Sequence, residues 1–156
     1  MPSELSLRRA AGAVSVVGIG VATYIAVVEA GGGAPACVAG GGGCETVANS
    51  TYSHLAGINV AVLGIAGYVM VLVASVLRGD AARFGALLLA LAGFGFSAYL
   101  TYLELFVIEA ICQWCVASAV LMTILLCLTA WRAFAYAGSE IASGGHGGDS
   151  SVGGAT

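Results

Sequence analysis

Apolar positions fill four long stretches of this chain, and the polar positions collect in the gaps between them. Residues 10–28, 55–77 and 84–103 contain no charged side chain, and the third run stays apolar past Glu104 to Ile108. A fourth uncharged run covers 110–131. Each is close to the roughly 20 apolar residues that a helix needs to cross a bilayer. In lipid the backbone has no water to bond to, so segments of this length satisfy their polar groups as helices. The pattern predicts an all-α integral membrane protein, a four-transmembrane-helix bundle with spans at about 10–28, 57–77, 84–108 and 111–131. Residues 1–9 read as a short lead, 10–136 as the membrane domain and 137–156 as a flexible Gly/Ser-rich tail. The longest internal connection, 30–54, carries Gly31–Gly33 and Gly40–Gly43. Glycine tolerates nearly any backbone conformation, so this loop is expected to bend toward different partners. Glu45–His54, at its end, predicts a short helix lying on the membrane surface.

Composition strengthens the membrane reading. The 156 residues are 60% hydrophobic and 8% charged, with a mean hydropathy of +1.00, whereas a soluble domain is about 25% charged. The net charge of −3 comes with no basic patch, which excludes nucleic acid as a partner and leaves membrane lipid as the surroundings. The five cationic residues are all arginine: Arg8, Arg9, Arg78, Arg83 and Arg132. In an up-down-up-down bundle they share one face, which the positive-inside rule makes cytoplasmic. Both termini then lie in the cytoplasm. Loop 30–54 and the Glu109–Cys112 turn lie on the extracytoplasmic side of the cell membrane. A cleaved signal peptide is the competing reading, from Arg8-Arg9, an apolar run and Ala34-Pro35-Ala36 before Cys37. Signal cores are usually about 7–15 residues. This run is longer, and Glu29 with three glycines separates it from the supposed cut.

Four of the five cysteines fall on that outer face. Cys37 and Cys44 lie in the loop, and Cys112-Gln113-Trp114-Cys115 forms a C-x-x-C where the fourth span begins. A helix N-terminus carries partial positive charge and free N–H groups, which lower the pKa of a C-x-x-C thiol and favour the attacking thiolate. The loop pair suits a soluble partner, and the C-x-x-C, at the lipid edge, suits a hydrophobic oxidant. Two plainer readings stand beside this one. The cysteines would serve as static disulfides, as in small extracellular proteins, or as a four-cysteine zinc site. Cys127, mid-span, reads as a small apolar packing residue. The small residues Ala86, Ala90, Gly93 and Ser97 make one face of span three and read as close helix packing. No nucleotide fingerprint, metalloprotease motif or catalytic Ser-His-Asp set is present.

These residues resemble the vitamin K epoxide reductase family, particularly its bacterial and archaeal members. The similarity lies in Cys37 through Cys44 followed by ETVANSTYSHLAGINVAVLG, and later in YLTYLELFVIEAICQWC, over roughly residues 10–132. In DsbB-like proteins, also quinone-linked, the C-x-x-C belongs to the first outer loop; here the wide pair comes first. The resemblance implies that Cys115 meets a quinone and that Cys112 is its disulfide partner, taking electrons from the loop. It makes Cys37 and Cys44 a shuttle pair that exchanges with a thioredoxin-like (DsbA-like) protein, in trans because no such domain is fused here. Ser50 would orient the loop and the quinone region, its plain reading being an ordinary helix hydroxyl.

The resemblance names a quinone as acceptor (menaquinone, ubiquinone or a vitamin K-type naphthoquinone) and no metal. Asn59 stands where the family usually has a proline, near the place where vertebrate relatives hydrogen-bond the naphthoquinone. It is a candidate quinone contact, with helix capping as its plain reading. Tyr102, with Tyr99, is a candidate for lining the quinone pocket, although interfacial tyrosines are common. Glu104 is a candidate proton relay, because ionisable residues inside membranes are often functional; the alternative places it at the interface, facing water. Ala119 stands where vertebrate members carry a tyrosine important for the vitamin, which argues against epoxide reduction. The expected function is a membrane thiol–disulfide oxidoreductase supporting disulfide formation. Vitamin K epoxide or quinone reduction proper, or a non-enzymatic four-span protein with structural disulfides, are the alternatives.

Overall fold

The computed structural model describes residues 3–37, 42–55 and 57–144. Helix α1 spans Glu4–Ala30. It starts within the expected lead because Ser3 caps it, its Oγ accepting from the Ser6 N–H at 3.3 Å. It also runs unbroken through the region read as a signal-peptide core. Helix α2 covers Gly43–Ala48, and a 3-10 turn follows at Thr51–Ser53. The single surface helix expected over 45–54 is therefore two shorter pieces.

Two short strands come next, β1 (His54–Leu55) and β2 (Ile58–Asn59), paired antiparallel with His54 opposite Asn59 and Leu55 opposite Ile58. Apart from this short hairpin the described elements are helical, so the fold is mostly helical. Gly57 sits at φ +83°, a left-handed conformation that glycine adopts without steric cost. The next helix thus starts later than the expected boundary at 57: α3 is Val60–Val76, capped by Asn59. Helix α4, Asp80–Leu103, continues into a π-helical turn at Glu104–Ile108, which Glu109 ends at φ 53°. Helix α5, Gln113–Gly144, extends through part of the segment expected to be flexible from 137. The rest of that tail, with residues 38–41 of the glycine loop, lies outside the described residues.

Among the described residues, three helices are long and apolar enough to cross a membrane: Glu4–Ala30, Asp80–Ile108 and Gln113–Ala135. With 17 residues, α3 is a shorter apolar helix, about 26 Å at 1.5 Å per residue against a hydrocarbon core of roughly 30 Å. The helices pack in a closed ring in which α1 touches α3, α3 touches α4, α4 touches α5 and α5 returns to α1.

Lipid offers no hydrophobic drive between helices, so close approach and internal hydrogen bonds hold the ring. Small residues permit the approach. Ala86 and Ala90 are fully buried, and Gly93 packs on Met122 of α5. Gly18 of α1 lies so close to the buried Tyr68 ring that an added Cβ would be 2.3 Å from it. The Tyr68 hydroxyl donates to the Ser118 carbonyl at 3.0 Å, tying α3 to α5. Cys127 differs from its expected packing role, since its side chain is exposed on the outside of the bundle.

One end of the ring is cationic. Arg83 pairs with Glu4 at 3.0 Å and with Asp80 at 3.0 Å. Arg132 approaches Glu4 at 3.8 Å. Arg8 donates to the last carbonyls of α3, Ser75 at 3.2 Å and Val76, a favourable place for a cation at a helix C-terminus. The cysteine pairs occupy the opposite end.

Candidate functional site

The site forms where loop 30–54 folds back over the start of α5. Cys37 and Cys44 are disulfide-bonded with their Cα atoms 5.9 Å apart, while Cys112 and Cys115 are free thiols. Cys44, on α2, is 1% exposed, and Cys112, just before α5, is 3% exposed. Their surroundings meet directly. A Cβ on Gly43 would lie 2.5 Å from the Ile111 carbonyl oxygen, so the residues just before these two cysteines are in backbone contact. The second shoulder of Cys112 is also engaged. The Trp114 Nε1–H donates to the Ala36 carbonyl at 2.9 Å, and the Trp114 ring packs on Tyr24 with centroids 4.9 Å apart.

Cys112 precedes the helix that Cys115 joins. A hydrogen bond from the Cys115 thiol holds the Cys112 thiol below its ordinary value, at about 7; burial opposes this, and the N–H groups of Cys115 and Trp114 assist. Cys112 is thereby suited to serve both as attacking thiolate and as leaving group. In the reduced protein, thiolate absorbance from Cys112 is expected to rise with pH around a midpoint near 7. Cys115→Ala removes the donor, and the midpoint then moves upward toward the usual thiol value of about 8.5. Ultraviolet titration of the two proteins checks both statements.

Beneath the loop opens a cleft between α1, α3, α4 and α5, with a cavity volume of about 150 Å³. Its walls are mainly apolar, with Phe96, Leu100 and Met122 among them. A few polar groups interrupt this surface. Of the four cysteines in the two pairs, Cys115 lines the cleft. Glu104 lines it too, 3% exposed. The π-turn and the left-handed Glu109 bring the Glu104 carboxylate back to accept the Cys112 N–H at 3.1 Å, and it also interacts with the Cys115 thiol. Glu104 is thus buried against the C-x-x-C and does not face water at the interface.

Ser50 lines the same cleft, its hydroxyl donating to the Val47 carbonyl at 2.7 Å. Asn59 lines it as well, with both ends of its amide engaged: Oδ1 accepts from the Ala61 N–H at 2.7 Å, and Nδ2 donates to the Glu29 carboxylate. The helix-cap reading of Asn59 is present, and a quinone contact would draw on the remaining N–H of Nδ2. Tyr102 is elsewhere, 56% exposed on the outer surface against Phe106 and off the cleft lining; Tyr99 is likewise exposed.

Several residues here went unnoticed in the sequence. Glu29 was legible only as a charge at the end of a span, yet it enters the cleft through Asn59. Tyr24 carried no signal of its own, and Trp114 stood only as an intervening residue of the C-x-x-C. Gly43 was one glycine in a run, and nothing in the run shows which glycine must admit a neighbouring backbone.

Mainly apolar walls interrupted by a few polar groups are the usual character of small-molecule sites, and Ser50, Asn59 and Glu104 supply polar groups here. Among the described residues no group of three or more His, Cys, Asp or Glu side chains is arranged to hold a metal ion. Residues 9–130 match the family model described as Vitamin K epoxide reductase family. A comparison with curated proteins finds no match.

Proposed function

The chain belongs to the vitamin K epoxide reductase family, and from that premise we propose that it oxidises a thioredoxin-like (DsbA-like) protein at the expense of a quinone. The family consists of membrane oxidoreductases acting on thiols and disulfides, with quinones as electron acceptors. In this chain the reading assigns four spans with the arginine end cytoplasmic and both cysteine pairs outside, where disulfides persist. The observation that carries it is the division of labour among the cysteines. Cys115 lines the apolar cleft, whereas Cys44 and Cys112 are buried on the loop side with their neighbours in contact.

The route runs through two dithiol exchanges. The reduced partner opens Cys37–Cys44 by attack at Cys37, the more exposed of the two, and leaves oxidised. The Cys44 thiolate then attacks Cys112 Sγ in a Cys112–Cys115 disulfide, and Cys115 leaves and takes up a proton. Cys37 next attacks Cys44, which re-forms the loop disulfide and releases Cys112. Two electrons and two protons have then passed from loop to C-x-x-C. The bonding pattern here, loop pair oxidised and C-x-x-C reduced, corresponds to that stage. A quinone in the cleft would accept those electrons and protons as Cys112–Cys115 closes again. Glu104, beside Cys115, takes the thiol proton and hands it on, while the Cys112 thiolate closes the disulfide. Ser50, Asn59 and the apolar walls orient the ring and exclude water.

The test uses the purified full chain in lipid nanodiscs with a reduced thioredoxin-like donor. Short-chain menaquinone, ubiquinone and vitamin K epoxide are offered separately, and disulfides are mapped by mass spectrometry. The expected result is reduction of one quinone per dithiol oxidised, transient opening of both cysteine pairs and no conversion of the epoxide. Thiols that stay inert while neither quinone is reduced would defeat the proposal in favour of a structural role for the disulfide.

A further inference from the structure

The loop pair is held at both shoulders of Cys112. On one side Gly43 abuts Ile111, the residue before Cys112. On the other, Trp114, two residues after Cys112, donates its indole N–H to the Ala36 carbonyl, the residue before Cys37, at 2.9 Å. The Trp114 ring is braced by Tyr24 of α1 at 4.9 Å, and the Tyr24 hydroxyl in turn accepts the Ala36 N–H at 3.4 Å. Both polar groups of Ala36 are therefore gripped by one aromatic pair, which bridges the end of α1 and the start of α5. The contact at Gly43 has no side chain of its own to fix it. Since Cys37 and Cys44 are bonded to each other, gripping Ala36 also restrains where Cys44 can go.

We infer that Trp114, braced by Tyr24, is a positioning residue for exchange between the two cysteine pairs: it latches the loop at Ala36 so that Cys44 stays beside Cys112. This rests on the relay proposed above and adds a residue whose chemistry is not redox. The bonds that change are those of the exchange already written, and Trp114 contributes only the encounter geometry. Thiol–disulfide exchange needs the attacking sulfur in line with the bond it breaks, and holding reactants in place raises their effective concentration. The latch supplies this for a loop whose glycines would otherwise let Cys44 wander.

The experiment needs no quinone. In the Cys37→Ser, Cys115→Ser double variant of the full chain, Cys44 and Cys112 can bond only to each other within the site. Oxidation by diamide, a small soluble disulfide-forming reagent, therefore measures how often they meet. Rates are read by mass-spectrometric mapping of the Cys44–Cys112 peptide pair. Adding Trp114→Ala is expected to slow this bond at least about tenfold, since both a hydrogen bond and an aromatic contact are lost. Trp114→Phe keeps the ring on Tyr24 and loses the N–H donor, and about a fivefold slowing is expected. The control is closure of Cys112–Cys115 by diamide in the Cys37→Ser, Cys44→Ser background, which Trp114→Ala is expected to leave within about twofold, because Cys115 lies in the first turn of α5 and the Cys112 N–H is held by Glu104, neither of which depends on the indole.

Unchanged Cys44–Cys112 bonding in both Trp114 variants overturns the latch. A parallel slowing of Cys112–Cys115 closure also overturns it, because the effect would then be a general loss of structure. No Cys44–Cys112 bond even with Trp114 present overturns the relay itself, which separates failure of the route from failure of the latch.

Discussion

Cys115→Ala is expected to bring quinone reduction to background and, at the same time, to trap a bond between Cys44 and Cys112. Cys115 lines the cleft, so its loss removes the sulfur that the proposed route sets against the quinone. Cys112 keeps its contact with the loop region. Its thiolate can attack Cys44 of the Cys37–Cys44 disulfide, freeing the Cys37 thiol; alkylating that thiol with N-ethylmaleimide blocks its return attack on Cys44, so the new bond persists. Anaerobic quinone absorbance gives the first readout and disulfide mapping the second. A variant that turns over quinone normally places the reacting sulfur elsewhere. A variant that is inactive but shows no Cys44–Cys112 bond breaks the link between the loop and the C-x-x-C.

Glu104→Gln is expected to slow quinone reduction about 100-fold, the scale of general acid–base assistance, while leaving Cys44–Cys112 exchange within about twofold. The amide oxygen of glutamine can still accept the Cys112 N–H that Glu104 accepts at 3.1 Å, so the start of α5 keeps its partner. What is lost is a carboxylate able to take the Cys115 proton. Glu104→Ala removes the acceptor as well and leaves a buried N–H unpaired, which costs about 1–3 kcal/mol, so it is expected to lower thermal stability where the glutamine variant does not. Quinone reduction rates across pH, with melting curves in the same nanodiscs, separate these effects. Retention of more than half the activity in Glu104→Gln would remove Glu104 from the proton path.

Much of this site was visible before any fold was known, because its chemistry follows chain order. The C-x-x-C at a helix start, the wide pair in a loop and the arginines in alternate gaps are one-dimensional signals. The boundaries were less legible. The start of α3 moved to Val60 because Gly57 and a two-residue pairing turn the chain just before it, and so short a hairpin has no periodic signature. The π-turn at Glu104–Ile108 looks in sequence like one more turn of an apolar helix, yet it decides whether Glu104 points outward or back onto Cys112. Tyr102, a candidate for lining the quinone pocket, and Glu104, a candidate proton relay, are two residues apart; a rotation of the helix sends the first outward and buries the second.

Hydropathy and cysteine placement, both readable along the chain, were enough to specify a membrane bundle with two cysteine pairs, and the resemblance of two short stretches supplied the family. Which sulfur faces the cleft, that Asn59 is occupied by Glu29, and that Ala36 is gripped by Trp114 depended on contacts between residues 30 to 78 positions apart. Such contacts are set by how helices rotate and approach one another in the ring, and no local pattern encodes that rotation.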